Sequence, residues 1–373
     1  MDAPSAQLAQ DIRDSVVRGL ATRRPLLHHL NADTSWLLQV PRPAAAIKHG
    51  TRIYYNILID PWLSGGQSDV ARWFSQQWHA TESKVATIAQ IEELAREIEI
   101  LAGGLRLGKG RLKNGEAGAD IRTFVDAVAI SHEFTDHCHK ETLLEVERDV
   151  LVFATEKAAA LIRSWNHFRS VNTIMPFAGA SPDWRDNAMP PLPEWLSISR
   201  LIAEGDALYY HSALLIAFNT TPSTSSSASS ISDAAEAVIY TPHGIPAAAL
   251  SPISTADPPI HTLAFLHGLH AVSIGSAQQL NLGAHNGLEA QRILKARYWV
   301  GTHDEVKKGG GLVNWFLRRR ILTVEEAVEE ERKRAKRVNG GRRMVNGWSK
   351  NSVDEWDDVR FEEVANGESR VLE

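Results

Sequence analysis

The sequence predicts an α/β fold. Short apolar strand candidates alternate with helix-patterned segments along most of the chain. One such strand, Ala127-Val128-Ala129-Ile130, runs directly into a histidine-dense loop, the usual place for a site in this class of fold. A content of 43% hydrophobic residues in 373 is enough to bury one large core.

The elements follow in order. A helix-like pattern from Asp11 to Leu20 precedes two strands, Thr34 to Val40 and Arg52 to Asp60, joined as a hairpin by Pro41 to Gly50. Ile88, Ile91, Leu94, Ile98 and Leu101 recur at helical spacing and predict a helix from Thr87 to Ala102, ending at Gly103-Gly104. After the histidine loop, Thr142 to Val146 reads as the start of a helix, Val150 to Ala154 as a strand and Glu156 to Arg163 as a helix. Ala207 to Phe218 and Ala237 to Tyr240 read as strands flanking Thr220 to Ser232, a Ser/Thr-rich flexible loop. Strands at His261 to Leu266 and His270 to Ile274, a helix at Leu288 to Lys295 and a short strand, Tyr298-Trp299-Val300, complete the alternation. Val324 to Val338 is a charged helix.

Bulk properties narrow the function. A formal net charge of −5 provides no global basic field, so nucleic acid is not an expected partner. No run reaches the roughly 18 apolar residues of a membrane span, and Met1 to Leu27 lacks the pattern of a secretory signal. The single cysteine, Cys138, excludes an intramolecular disulfide and a cysteine-cluster metal site, which suits a cytoplasmic location. The basic run near residues 332–337 offers a nuclear-import patch or the solvated face of a terminal helix. Fifteen histidines are left as the main metal-capable inventory.

His132, Asp136, His137 and His139 fall within eight residues at the end of an apolar strand. A catalytic metal site needs neutral imidazoles and carboxylates converging on one point, and a strand-end loop supplies that convergence. A polar surface loop has the same composition, so the residues alone leave both readings open.

The segment His132-Glu133-Phe134-Thr135-Asp136-His137 resembles the His-x-His-x-Asp-His motif of the metallo-β-lactamase superfamily, with Phe134 in place of the second histidine. Ile57 to Ser64 is similar to that family's early strand ending in a structural aspartate, Asp60, in the branch of lactonases and phosphodiesterases. Val238 to Gly244 resembles the strand leading to its bridging aspartate, here His243. Tyr298 to His303 resembles the closing strand with a terminal metal histidine, and His211 falls where a middle one lies.

The resemblance implies a four-layer αββα sandwich and a metal set of His132, Asp136, His137, His211, His243 and His303. Asp60 and His139 are then structural or supporting residues, and Asp136 is the catalytic residue that orients or deprotonates a metal-activated water. It implies one or two zinc ions, with iron or manganese as alternatives. The activity implied is hydrolysis of a small-molecule ester, lactone, thioester or phosphodiester. The alternative is a member that binds a ligand or partner without hydrolysis, which Phe134 and His243 favour.

By this reading residues 1–30 are an N-terminal helical extension, 31–322 the fold proper with a flexible insertion near 220–232, and 323–373 a charged helix and tail. Gly103 to Gly110 lacks the Ser or Thr and the preceding strand of a phosphate-binding loop. Gly309-Gly310-Gly311 reads as a flexible turn. Trp62, Trp73, Phe74 and Trp78 are either substrate-contacting aromatics or core packing.

Overall fold

Every central strand divides its residues between two apolar clusters, and this division builds the layers. The computed structural model describes residues 17, 19–47, 52–69, 71–106, 122–180, 182–188, 190–203, 205, 210–220, 233–275, 278–340 and 359–373. In β2 (Trp36–Pro41), Trp36, Leu38 and Val40 join the central cluster, whereas Leu37 faces the opposite way. In β11 (Ser212–Phe218), Leu214, Ile216 and Phe218 enter the same central cluster, and Ala213, Leu215 and Ala217 turn outward. Side chains alternate across a strand, so a strand apolar at every position needs a partner layer on each face.

Two seven-stranded mixed sheets supply the inner layers. The first comprises β1 (Leu26–His29), β2, β3 (Tyr54–Ile59), β6 (Ala127–Ile130), β7 (Leu151–Ala154), β8 (Val171–Thr173) and β20 (Ser369–Val371), in the order β20-β1-β2-β3-β6-β7-β8. The second comprises β9 (Met175–Pro176), β10 (Leu196–Ile202), β11, β12 (Ala235–Thr241), β13 (Ile260–His267), β16 (Tyr298–Val300) and β19 (Phe361–Glu362), in the order β19-β16-β13-β12-β11-β10-β9.

Helices α1 (Ile88–Arg106) and α3 (Glu156–Ser164) cover the first sheet through Ile88, Ile91, Ala158, Ala159 and Ile162. Between them in sequence lies the short α2 (Lys140–Leu143). After the one-turn α4 (Ser251–Ser254), α5 (Ala284–Leu294) and α6 (Val324–Gly340) cover the second sheet through Ala284, Leu288, Leu294, Val324 and Ala327. The chain is thus a four-layer αββα sandwich, the layering that the resemblance implies.

Some local expectations differ from the structure. Helix α1 runs through Gly103 to Arg106, past the expected stop, since glycine lowers helix propensity by about 1 kcal/mol without barring the conformation. Gly309 and Gly310 are not in a free turn. They lie in β17 (Lys308–Gly310), which pairs with β5 (Gln76–Trp78), itself paired with β4 (Gly66–Gln67). Leu196 to Ile202 is a strand that the sequence reading did not identify. Strand β1 lies in the stretch read as a helical extension, and β19 and β20 in the stretch read as a tail, so both segments add strands to the sheets. The Ser/Thr-rich stretch from 221 to 232, the glycines from 108 to 110 and most of the first helix lie outside the described residues. Among the described residues, no helix is long and apolar enough to cross a membrane.

Candidate metal centre

Parallel strands deliver the site. β3, β6 and β7 run in one direction, as do β12, β13 and β16, so the loops leaving these strands gather at one end of each sheet. Asp60 follows β3, residues 131–139 follow β6, His243 follows β12 and His303 follows β16. Asp33 enters from the other direction, just ahead of the antiparallel β2.

Three histidines are aimed by the groups behind them. His137 Nδ1 lies 2.7 Å from Asp60 Oδ2, His243 Nδ1 3.0 Å from Asn281 Oδ1, and His303 Nδ1 3.0 Å from Asp33 Oδ1. In each pair Nδ1 donates to the oxygen, which leaves the Nε2 lone pair free to act as a ligand. Asp60 is fixed in turn by Ser131, whose backbone N–H donates to Oδ1 at 2.7 Å and whose hydroxyl donates to Oδ2. Asp60 and His303 both sit at left-handed backbone angles, φ +42° and +59°. The chain accepts strained geometry at these two points.

The ligand nitrogens of His137, His243 and His303 lie within 4.8 Å of one another. His132 adjoins them, its ring centroid 4.9 Å from that of His243. Nε2 of His132, His137 and His243 are buried and have no hydrogen-bond partner among the described residues. Each such orphan costs about 1–3 kcal/mol, so several in one place fit a bound cation far better than an empty core. Burial, then the neighbouring imidazoles, holds His132 and His243 well below the ordinary histidine pKa, and burial lowers His303 as well. Burial also opposes the charged form of His137, but the Asp136 and Asp60 carboxylates outweigh it and raise its pKa. Neutral imidazoles are the form that binds metal.

Asp136 borders this group, with Oδ1 3.6 Å from His137 Nε2 and Oδ2 3.9 Å from His303 Nε2. Its stronger contact is with Lys307, whose Nζ lies 2.7 Å from Asp136 Oδ2 and 2.8 Å from Asp33 Oδ2. Burial alone would raise both carboxyl pKa values, but the ammonium, followed by nearby histidines, holds both below the usual carboxylate range.

The structure does not bring the other sequence candidates into the group. His211 has Nε2 3.1 Å from the Leu280 carbonyl, and the adjacent Tyr210 instead presents its ring to His243, with centroids 5.3 Å apart. His139 caps α2, its Nδ1 accepting from the Thr142 backbone N–H at 3.3 Å. Cys138 is buried among the apolar residues under α1 and α3, and burial raises its thiol pKa, so it is a protonated, unreactive core residue. Phe134 stands against Tyr210 and His243 and walls one side of the cluster.

The aromatic group splits. Trp62 is wholly buried and stacks on His79 at 3.8 Å, a core role. Trp73 and Trp78 are 68% and 45% exposed, on or beside the small β4-β5-β17 sheet. Gln67 of that sheet accepts a hydrogen bond from Thr135 at 2.5 Å and so joins it to the histidine loop.

Asp33, Asn281 and Lys307 were not found by sequence reasoning. Asp33 reads as a turn residue in Asn31-Ala32-Asp33-Thr34, and Lys307 reads as solvated charge in Asp304-Glu305-Val306-Lys307-Lys308. Neither carries a local signal, because each acts through a partner more than a hundred residues away.

No family model and no curated protein sequence matches the chain. Among solved structures, it is similar to the isothiocyanate hydrolase from Delia radicum gut bacteria, with TM-score 0.48 and 13% identity, over 93% of this chain and 98% of that one. A possible metal-dependent hydrolase from Veillonella parvula gives 0.47 and 10%, over 94% and 100%. The metallo-β-lactamase fold protein YhfI from Bacillus subtilis gives 0.42 and 10%, over 93% and 99%. At these scores no chemistry is carried over, and the fold stands on its own strand order and layers.

Proposed function

We propose that this chain, an αββα sandwich of the metallo-β-lactamase type, is a metal-dependent hydrolase acting on a small-molecule ester, lactone, thioester or phosphodiester. One observation carries the reading: three imidazoles, each aimed by an oxygen at Nδ1, turn their ligand nitrogens toward one another beside a carboxylate. His137, His243 and His303 would hold the ion, with His132 alongside. Imidazole donors suit zinc and also accept iron or manganese. Such an ion supplies Lewis acidity and brings the pKa of a water it polarises toward about 7.

The chain's own residues do the rest. Asp136 Oδ1 faces the histidines, where it accepts a hydrogen from the attacking water and sets its direction. Lys307 keeps Asp136 ionised and fixes its other oxygen. Phe134 and Tyr210 close one wall and exclude bulk water.

The test is metal content by plasma mass spectrometry on the purified protein beside His303→Ala and Asp136→Ala variants, followed by turnover of a panel of esters, lactones, thioesters and phosphodiesters with and without chelator. Stoichiometric metal that falls in His303→Ala, with chelator-sensitive turnover, is the expected result. A metal-free, folded wild type would sink the reading. Bound metal without turnover across the panel would replace it with ligand binding on a retained fold.

A further inference from the structure

A cation is already present beside the histidines, carried by the chain itself. Lys307 Nζ lies between Asp33 Oδ2 and Asp136 Oδ2, at 2.8 and 2.7 Å, with its side chain 6% exposed. The Trp62 ring faces the same ammonium, its centroid 5.2 Å from Nζ. Asp33, Asp136 and His303 also form a group whose donor atoms lie within 4.8 Å of one another, close enough to share a metal ion. The two carboxylates of that group are the ones Lys307 bridges. Buried carboxylates need a compensating positive charge, and here it is covalently attached. A metal ion entering between them would have to displace Nζ and strand a buried ammonium, so the two cations compete for one place.

We propose that Lys307 is a tethered substitute for a second metal ion. It occupies the position between Asp33 and Asp136 and limits the centre to one ion held by the histidines. It also directs Asp136 toward that ion and is therefore a positioning residue. This inference rests on the metal-dependent reading above.

The experiment uses the full chain saturated with zinc, freed of loose ion by desalting, and counted by plasma mass spectrometry against protein concentration. Wild type is expected to hold one zinc per chain and Lys307→Ala two, a doubling that a merely structural lysine would not produce. One zinc in each protein, or two in wild type, overturns the inference and leaves the hydrolase reading intact. No zinc in either overturns both. If Lys307→Ala does not fold, cobalt-loaded wild type decides by X-ray absorption and electron paramagnetic resonance. An isolated ion is expected, and a metal neighbour at about 3.5–4 Å, the spacing of two-metal sites, overturns the inference.

Discussion

Replacing Asp60 with asparagine tests whether the histidine cluster is aimed by the hydrogen bonds behind it. Asp60 is wholly buried and adopts φ +42°, a conformation asparagine tolerates, so the backbone has no reason to move. The amide oxygen can still accept from the Ser131 N–H, but its NH2 group then faces His137 Nδ1, which donates to the carboxylate in the native protein. To avoid two opposed donors, His137 must move its proton to Nε2, and the nitrogen that faces the cluster loses its lone pair. Loss of such an orienting partner weakens metal binding by about 10–100-fold, or about 1.4–2.7 kcal/mol. The charge-assisted hydrogen bond lost from the metal-free fold is worth about 1.5–3 kcal/mol. Zinc affinity measured by competition with a chromophoric chelator, alongside urea unfolding, separates the two effects. Wild-type zinc affinity in the asparagine variant would refute the aiming argument.

Two further outcomes follow from residues away from the centre. Burial lowers the pKa of His28 from 6.5 to about 4, although its hydrogen bond to Gln39 raises it. Between those values the unfolded chain takes up a proton that the folded chain refuses, so stability should fall as pH drops from 6.5 to 4, by up to about 3 kcal/mol from this residue. Asp304, raised by burial to about 6, works in the opposite sense. The check is therefore the difference between wild type and His28→Gln in urea unfolding at pH 7 and pH 4.5, and an unchanged pH slope in the variant would contradict it. In α5, a Cβ on Gly287 would clash with the Trp299 ring at Cζ2. Gly287→Ala gains about 1 kcal/mol of helix propensity but overpacks the core by about 1–3 kcal/mol, so thermal unfolding should show a net loss. A stabilised variant would show that Trp299 can yield.

The hydrophobic pattern made much of the sandwich legible. Ala127 to Ile130 and Tyr298 to Val300 occupy the same residues in sequence and structure, and β3, β7, α3 and β12 differ from their expected ranges by only a few residues. Strands such as β11, buried at every position, are recognisable as apolar runs, though nothing in the run says which side faces the other sheet. Leu196 to Ile202 escaped because serines and an arginine interrupt it, and its pairing with β11 overrides that local polarity. β17 escaped because three glycines read as a turn, whereas Gly309 takes its strand conformation from Gln77 across the ladder.

The centre divides in the same way. His132, Asp136 and His137 were visible because a strand end concentrates them within six residues, and His243 and His303 through the family resemblance of the segments that carry them. Sequence by itself determined the α/β alternation and the histidine-dense strand end, since both are written in local periodicity and residue type, while the layering and the distant histidines came from the family resemblance. Only the tertiary structure decided that His211 turns to the Leu280 carbonyl, that Asp33 and Asn281 aim His303 and His243, and that Lys307 lies between Asp33 and Asp136. Asp33 and Lys307 are 274 positions apart by their numbering. Their ion pair depends on β2 and the loop after β16 arriving at the same end of two facing sheets, a consequence of packing that no local stretch of the chain encodes.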